Sequence, residues 1–470
     1  MSKKVKFTVD GKIIEAEEGA ILLQVLLEHG FNIPYYCYHE ALGPDGNCRM
    51  CMVEIEGKKR PQISCDTFVE EGLVVRTDTE NIRKVRRGIL ELQLINHPVD
   101  CPICDQAGEC SLQDYYMDYG LYHGKVDKAK KLHFKKHLDL GANVMLDQER
   151  CVLCQRCTRF TSNITKTNEL GIVRRGDLSR VDTMPGRKLH NGYAMNIVDL
   201  CPVGALTSKD FRFQQRVWFL TSTPSVCHGC AKGCNIFIDH ARLKYQDDTI
   251  YRFRPRKNPD INGHFICDAG RLGYKRLQHG RLKEALSESG PIGFEEAEAR
   301  LKTLLEAHNG PIVVLADANL FTEELEMIRI FSNEIGAALH APLESYIDDE
   351  FKDDWLKQPM RAANARGVER LAIDTTMPEV EEGVLLINFN HPAADTLDVK
   401  RRIDFLTHRP KRESGTLLTL PIAVWSETAG TLVNVDGIAQ RCEQAIFPNE
   451  PVPTVLRWLE AFDLGERCVV

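Results

Sequence analysis

The residues with the most chemistry to offer are cysteines. The chain holds 17, and all but Cys442 and Cys468 fall between Cys37 and Cys267. Crowded thiols either pair as disulfides or bind metal. Disulfide scaffolds are short and secreted. This chain has 470 residues, and its opening "MSKKVKFTVDGK" shows no apolar segment of a secretory signal. Metal is the reading that fits, with zinc and iron–sulfur clusters as its two forms.

The thiols fall into four sets. Cys37, Cys48, Cys51 and Cys65 are spaced C-x10-C-x2-C-x13-C. Four thiolates on a loop suit a [2Fe–2S] cluster, whose negative charge needs N–H donors nearby. "GPDGNCRMC" supplies Gly43 and Gly46 for that close approach. A zinc ribbon is the rival, although zinc hairpins pair two short C-x2-C units. The second set, in "HPVDCPICDQAGECSLQD", is His97, Cys101, Cys104 and Cys110 at H-x3-C-x2-C-x5-C. Spacing alone leaves it open between zinc and a [4Fe–4S] cluster. Three cysteines want a fourth ligand, and His97 is the nearby residue able to complete them. In a cluster, neutral imidazole in place of thiolate removes a negative charge and pushes the potential upward.

The third set is split. "ERCVLCQRCTRF" places Cys151, Cys154 and Cys157 at C-x2-C-x2-C, but Thr161 and Ser162 stand where the closing C-P belongs. "NIVDLCPVGAL" has that ending at Cys201 and Pro202, with Ile197, Ala194 and Asn191 in the three head positions. In two-cluster ferredoxins the fourth cysteine of each run ligates the other cluster. Removing one cluster leaves three cysteines of the first run and the fourth of the second. The predicted set is therefore Cys151, Cys154, Cys157 and Cys201, holding one [4Fe–4S] cluster. The fourth set is Cys227, Cys230 and Cys234 in "CHGCAKGCN", at C-x2-C-x3-C, completed by Cys267 in "ICDAGRLGY". Gly229 and Gly233 permit close approach; zinc is again the rival, and three neighbouring sets favour iron. His228, between two ligands, is expected to be an exposed bystander. Cys442 and Cys468 read as unligated thiols, and His123, His133 and His137 as structural.

Elements must position these residues. Alternating runs around Asp10-Gly11 predict a hairpin, since both turn positions need positive φ. "ILLQVLLEH" predicts a helix that Gly30 closes, and the two together open a β-grasp. "ENIRKVRRGILELQLINH" predicts a helix with Ile82, Val85, Ile89 and Leu92 on its apolar face. Residues 120–137 are lysine-rich and read as a solvated connector, or as a docking stripe for a partner subunit. Beyond residue 276 "GPIVVLADANL", "TEELEMIRIFSNEIG" and "EEGVLLINFNHP" alternate strand, helix and strand, which suggests an open parallel sheet. The acidic run of Asp348, Asp349, Glu350, Asp353 and Asp354 reads as a solvated face. No P-loop follows a strand, and neither does a G-x-G-x-x-G run.

Net charge is −7, which gives nucleic acid no electrostatic footprint. The longest apolar runs, such as "AILLQVLL", fall short of the roughly 18–20 residues that span a bilayer. The expected place is cytoplasmic, peripheral on the cytoplasmic face of the inner membrane and attached through partner subunits only.

The order of the four sets resembles the iron–sulfur G subunit of bacterial NADH-quinone oxidoreductase, respiratory complex I, across residues 1–275. The segments that carry it are "YYCYHEALGPDGNCRMCMVEI", "HPVDCPICDQAGECSLQD", "CVLCQRCTRF", "CPVGAL" and "CHGCAKGCN" with "ICDAGRLGY". The resemblance implies one [2Fe–2S] cluster on the first set and [4Fe–4S] clusters on the other three, with His97 a ligand. In that family the fourth set occurs in only some members, off the main electron path. "SETAGTLVNVDGIAQR" is similar to a signature of molybdopterin oxidoreductases at Glu427, Gly430, Thr431, Asn434, Asp436, Gly437 and Gln440, but Ile438 stands where arginine is usual. The tail is far shorter than the usual domain, so no molybdopterin is expected.

The resulting expectation is an α+β multidomain chain. It comprises a [2Fe–2S] β-grasp at 1–78, a helical one-His/three-Cys [4Fe–4S] domain at 79–118 and a ferredoxin-like [4Fe–4S] domain at 141–217. A [4Fe–4S] domain of the molybdenum/tungsten bis-MGD type follows at 220–276, then a truncated molybdopterin-oxidoreductase-like α/β domain at 277–470. With no general base, nucleophile or substrate pocket visible, the expected role is electron transfer, from a partner flavin site reduced by NADH toward a quinone-side iron–sulfur partner. The alternatives are the equivalent subunit of an NAD-linked hydrogenase or formate dehydrogenase, and a zinc-stapled scaffold.

Overall fold

The structure, a computed structural model, describes residues 3–120, 127–244, 246–410 and 415–462. His123 and Cys468 lie outside the described residues. The chain divides into two compact units, Met1–Phe219 and Leu220–Val470.

In the first unit β1 (Lys4–Val9) and β2 (Lys12–Glu17) pair antiparallel. Asp10 and Gly11 between them have φ of 47° and 83°, the left-handed pair that a two-residue hairpin needs. Helix α1 (Leu22–Glu28) buries Leu22, Leu23, Val25 and Leu26, and ends at Gly30 (φ 78°), past which Phe31 N–H reaches back to the Leu26 carbonyl (2.9 Å). Strands β3 (Met52–Ile55), β4 (Gln62–Ile63) and β5 (Val74–Arg76) complete a mixed sheet in the order β2-β1-β5-β3-β4, with β1 and β5 parallel.

Helix α2 (Glu80–Leu94) is N-capped by Thr79, whose hydroxyl accepts from Ile82 N–H (3.2 Å). Its buried face is Ile82, Arg86 and Leu90, one residue round from the expected stripe, and Leu92 is 71% exposed. Arg86 explains the rotation. It is 1% exposed and donates to the Tyr119 hydroxyl (2.8 Å) on α3 (Ser111–Tyr119) and to the Met52 carbonyl (3.1 Å). Polar partners on two sides offset part of the cost of burying the guanidinium.

Strands β6 (Leu138–Gly141) and β7 (Val144–Leu146) follow, then α4 (Arg156–Arg159), the hairpin of β8 (Leu170–Val173) and β9 (Arg180–Thr183), α5 (Asn196–Leu200) and β10 (Leu206–Ser208). The sheet order is β10-β7-β6, and antiparallel pairing puts Leu146 opposite Leu206. The end of β7 therefore lies beside the start of β10.

In the second unit β11 (Thr221–Val226), β12 (Asn235–Arg242) and β13 (Asp248–Pro255) form a meander, and α6 (Asp268–Arg271) and α7 (Tyr274–Gln278) follow. A seven-stranded sheet is built from β14 (Ala285–Ser287), β15 (Gly290–Ile292), β16 (Ile312–Ala316), β17 (Ala338–His340), β18 (Leu385–Phe389), β19 (Arg401–Leu406) and β20 (Thr416–Pro421). Its order is β15-β14-β20-β19-β18-β16-β17, with β16 to β20 parallel. Helices α8 (Phe294–Glu306), α9 (Thr322–Glu334) and α10 (Ala365–Arg370) lie among these strands in the chain. All five residues of β18 are buried, as a strand inside a parallel sheet must be. The hairpin of β21 (Gly430–Val433) and β22 (Ala439–Cys442) and helix α11 (Val455–Glu460) end the described chain. Among the described residues no helix is long and apolar enough to cross a membrane.

Candidate iron–sulfur sites

The sixteen described cysteines are all free; Cys101, Cys110, Cys151 and Cys201 are half-buried and the other twelve buried. Among the described residues no three His, Cys, Asp or Glu side chains are grouped as a single-ion site would group them.

The first set sits on the loops around β3. The Cys37 thiol is hydrogen-bonded to Cys48 and Cys65, and those donors pull it down to about 2 against the cost of burial. Cys51 is lowered to about 7, chiefly by its bond with Cys65, while Cys48 and Cys65 are pushed up. Four thiols thus converge and share protons, two held low by the two that are held high. Gly43, Gly46 and Arg49 have φ of 71°, 64° and 57°, a run of left-handed residues that folds the loop tightly, and Tyr36 N–H donates to Cys48 Sγ (3.4 Å).

The two halves of the third set meet in space. Cys151, Cys154, Cys157 and Cys201 line one cavity, with Leu146, Val181, Val203 and Leu206 among its apolar walls. The β7–β10 pairing does this, since Cys151 follows β7 and Cys201 precedes β10, and Asp147 N–H donates to the Ala205 carbonyl (2.8 Å). Leu153 and Gln155, between the cysteines, have φ of 53° and 62°; Leu153 N–H donates to Cys151 Sγ (3.4 Å). Burial pushes all four thiols up, Cys154 to about 12. As thiolates they would need positive charge inside the cavity, which is what cluster iron provides.

In the second set Cys110 is the N-cap of α3, and its thiol is raised to about 11 by burial and then by Cys104 and Cys101. Burial lowers His97 to about 4, so its ring is the neutral form that binds metal. Its Nδ1 accepts from Val99 N–H (3.0 Å), which leaves the ring proton on Nε2. None of the three thiols is hydrogen-bonded to the ring, so for His97 to join them by Nε2 that proton must be released or moved. The lysine-rich segment is more than a solvated connector here. Lys131 donates to the His97 carbonyl (2.9 Å), and Lys136 pairs with Glu149 (3.0 Å) and Asp100 (3.4 Å). Asp100 also takes both prongs of Arg150 (2.9 and 2.7 Å). Burial would raise its carboxyl, but Arg150 and Lys136 outweigh that and hold it below the usual range.

Contacts among these three sets were invisible in the sequence. Arg156, 8% exposed, donates to the Leu200 carbonyl (3.0 Å) and the Tyr38 carbonyl (2.6 Å), one residue from a candidate ligand on each side. Arg159 donates to the carbonyls of Cys37 and Leu42, and Asn47 to that of Leu153 (2.7 Å). The second set meets the third through Ser111 N–H and the Pro202 carbonyl (2.9 Å), and through Gly204, where a Cβ would overlap Cys104 Sγ.

The fourth set crowns the β11–β12 hairpin. Cys227 follows one strand and Cys234 precedes the next, joined by Cys227 N–H to the Cys234 carbonyl (2.8 Å). Gly270 N–H donates to Cys267 Sγ (3.2 Å), and a Cβ on Gly270 would lie 3.0 Å from Cys227 Sγ and 3.3 Å from Cys267 Sγ. His228 is not the exposed bystander expected. Its ring stacks on Trp425 (4.1 Å), meets Phe321 edge-on (5.5 Å), and has both nitrogens buried without a hydrogen-bond partner among the described residues. Burial lowers it to about 3. Aromatic neighbours from distant segments, which no spacing rule reveals, made the difference.

The tail signature closes on this hairpin. Gln440 donates to the Gly233 carbonyl (3.0 Å) and accepts from Asn235 Nδ2. Asn434, fully buried, shapes its own turn through Ile438 N–H (2.8 Å), and Val435 N–H reaches the Ala231 carbonyl (2.7 Å). Glu427 holds Arg281 with both oxygens (2.6 and 3.0 Å), and Thr431 donates to Glu323 (2.7 Å).

Four family models match, and three of them name the iron–sulfur group they describe. They are a 2Fe-2S iron–sulfur cluster binding domain (2–80), the NADH-ubiquinone oxidoreductase-G iron–sulfur binding region (86–125), the ferredoxin-like domain of NADH-quinone oxidoreductase subunit 3 (141–207) and the molybdopterin oxidoreductase Fe4S4 domain (220–279). The chain is thus of the iron–sulfur class, with several iron–sulfur and ferredoxin-like domain families matched in series. The NADH-quinone oxidoreductase G subunit of Streptomyces coelicolor is 37% identical over 328 residues, 68% of this chain and 38% of that protein. The NADH-ubiquinone oxidoreductase 75 kDa subunit of Reclinomonas americana is 36% identical over 82% of this chain and 55% of its own length. This chain is a homologue of these subunits, and spans about half the length of the curated relatives it matches. A chain of an NAD+-reducing [NiFe]-hydrogenase in the H2-reduced state is 32% identical over 45% of this chain and 91% of its own, with a TM-score of 0.40, too loose a superposition to bear on the fold.

Proposed function

We propose that the chain is the iron–sulfur electron-transfer subunit of an NADH-quinone oxidoreductase. Its partners would be NADH-oxidising flavin subunits on one side and quinone-side iron–sulfur subunits on the other, and it would lie on the cytoplasmic face of the inner membrane through those partners. The observation that carries the proposal is the meeting of three ligand sets within one compact unit, tied by Arg156, Arg159 and Ser111. One [2Fe–2S] cluster on Cys37, Cys48, Cys51 and Cys65 is proposed, with [4Fe–4S] clusters on the His97, Cys151 and Cys227 sets. Bound there, they supply the one-electron chemistry. The chain's own residues exclude water, donate N–H groups to sulfur, and hold the loops at fixed separations.

The tail is proposed to bind no molybdenum or tungsten cofactor. A parallel sheet offers its ligand crevice where the strand order reverses, here between β16 and β18. That crevice is filled by the chain itself: Asp317 accepts from the Tyr346 hydroxyl (2.7 Å) and from Asn390 Nδ2 (2.9 Å). The signature residues serve as a clasp on the Cys227–Cys234 hairpin instead.

The test is elemental analysis and low-temperature EPR of the native complex, with co-purifying chains identified by mass spectrometry. Four cluster signals, no stoichiometric molybdenum or tungsten, and NADH-oxidising partners are expected. His97→Ala should cost one cluster; full iron with an unchanged spectrum would show that His97 is no ligand.

A further inference from the structure

Arg156 is buried, and among the described residues no carboxylate pairs with it. Both terminal nitrogens are spent on carbonyls. Nη1 donates to Leu200 (3.0 Å), the residue before Cys201, and Nη2 to Tyr38 (2.6 Å), the residue after Cys37. Nε is buried with no hydrogen-bond partner among the described residues, and the guanidinium lies 5.7 Å from the centre of the Tyr35 ring. Arg156 also lines the cavity that holds Cys151, Cys154, Cys157 and Cys201. One side chain thus lies against both the first and the third ligand sets. Arg159, three residues on, differs: Asp45 stands 3.9 Å from its Nε, so its charge has a counterpart in the chain. A guanidinium cannot escape burial by shedding its proton. Carbonyl oxygens satisfy its N–H groups without cancelling its charge, and a buried charge needs a partner of opposite sign. Neutral thiols do not supply one. An iron–sulfur group on four thiolates does, because thiolates, sulfide and iron together carry net negative charge.

We propose that Arg156 is the shared counter-cation of the iron–sulfur groups on the Cys37 and Cys151 sets, and that its charge raises both reduction potentials. The proposal rests on the ligand assignment above. Its direction follows from charge: each reduction adds an electron, so a fixed positive charge nearby stabilises the reduced form more than the oxidised one. Because one cation serves two groups, it moves both potentials the same way. Arg156 positions the two loops through its carbonyl bonds and tunes the two groups through its charge. It is not a catalytic residue.

The experiment is an EPR-monitored redox titration of the native complex carrying Arg156→Gln or Arg156→Lys, with iron and acid-labile sulfide counted per chain. Cys37→Ser and Cys201→Ser first assign the two signals. Arg156→Gln should shift both one-electron equilibria about tenfold toward oxidation, which is about 59 mV each. Arg156→Lys keeps the charge and should hold both potentials near those of the unaltered protein. Equal potentials in the glutamine and lysine variants would overturn the proposal, as would a shift of only one of the two signals. If Arg156→Gln loses one cluster, the surviving signal must still fall in potential. If it loses both, Arg156→Lys must restore both at unaltered potentials, and its failure to do so refutes the role of charge. The ligand assignment is tested separately: if Cys37→Ser and Cys201→Ser do not remove two different signals, the assignment falls and this proposal with it.

Discussion

Gly204→Ala probes the junction between the second and third sets at one atom. Its added methyl would overlap Cys104 Sγ by more than an ångström, while lying 3.1 Å from Gln106 Cβ and 3.6 Å from Arg150 Cδ. Relief by moving the Gly204 backbone is opposed on both sides, since Pro202 accepts from Ser111 N–H (2.9 Å) and Ala205 from Asp147 N–H (2.8 Å). Breaking those two bonds costs about 1 kcal/mol each, on top of about 1–3 kcal/mol for overpacking. Swinging Cys104 aside is the cheaper escape, and it takes a ligand away from its set. Gly204→Ala should therefore lose the His97-set cluster while the Cys151-set signal persists, although the substitution lies three residues from Cys201. Iron and acid-labile sulfide per chain, with EPR of the reduced protein, give the readout. Gly88→Ala, where a Cβ meets nothing within 4 Å, is the control and should keep all its iron. Full iron and unaltered spectra in Gly204→Ala would refute the packing argument.

Cys201→Ser should degrade the Cys151-set cluster alone, because serine is a harder ligand for cluster iron; Pro202→Ala should be milder, and loss of the Cys227-set signal instead would sink the split assignment. Gln440→Leu removes two hydrogen bonds at the Cys227–Cys234 hairpin, to Gly233 and from Asn235, so the fourth cluster should become labile on dilution or mild heating, at about 1–3 kcal/mol of local stability; unchanged iron retention would count against the clasp. Glu324 is raised from 4.5 to about 7, first by burial, and its carboxylate accepts from Phe321 N–H (2.9 Å). Its folded form holds the proton more tightly than the unfolded one, so its contribution is fully present below about pH 4.5 and is lost as pH rises through about 7. Glu324→Gln keeps an acceptor and should flatten that fall in thermal melts between about pH 5 and 8; parallel curves would contradict the burial argument.

Ligand sets are legible in sequence because a cluster's geometry is written into short spacings. C-x2-C-x2-C and an orphan C-P lie far apart in the chain, yet the chemistry of the missing ligand joined them, and β7–β10 pairing supplies the path. The Asp10-Gly11 turn and the α1 terminus at Gly30 were equally local, each resting on a left-handed residue. Sequence alone therefore determined that Cys201 belongs beside Cys151, Cys154 and Cys157, and which turn and helix end open the chain. What it left open depended on partners far along the chain. Helix α2 turned its face because Arg86 found Tyr119 and Met52, and His228 is enclosed because Trp425 and Phe321 arrive from the tail. Arg156, Gly204 and Gln440 were not recognisable as contacts between loops from their spacing. Their roles exist only where two loops approach, and long-range packing, which no local periodicity encodes, decides which loops those are.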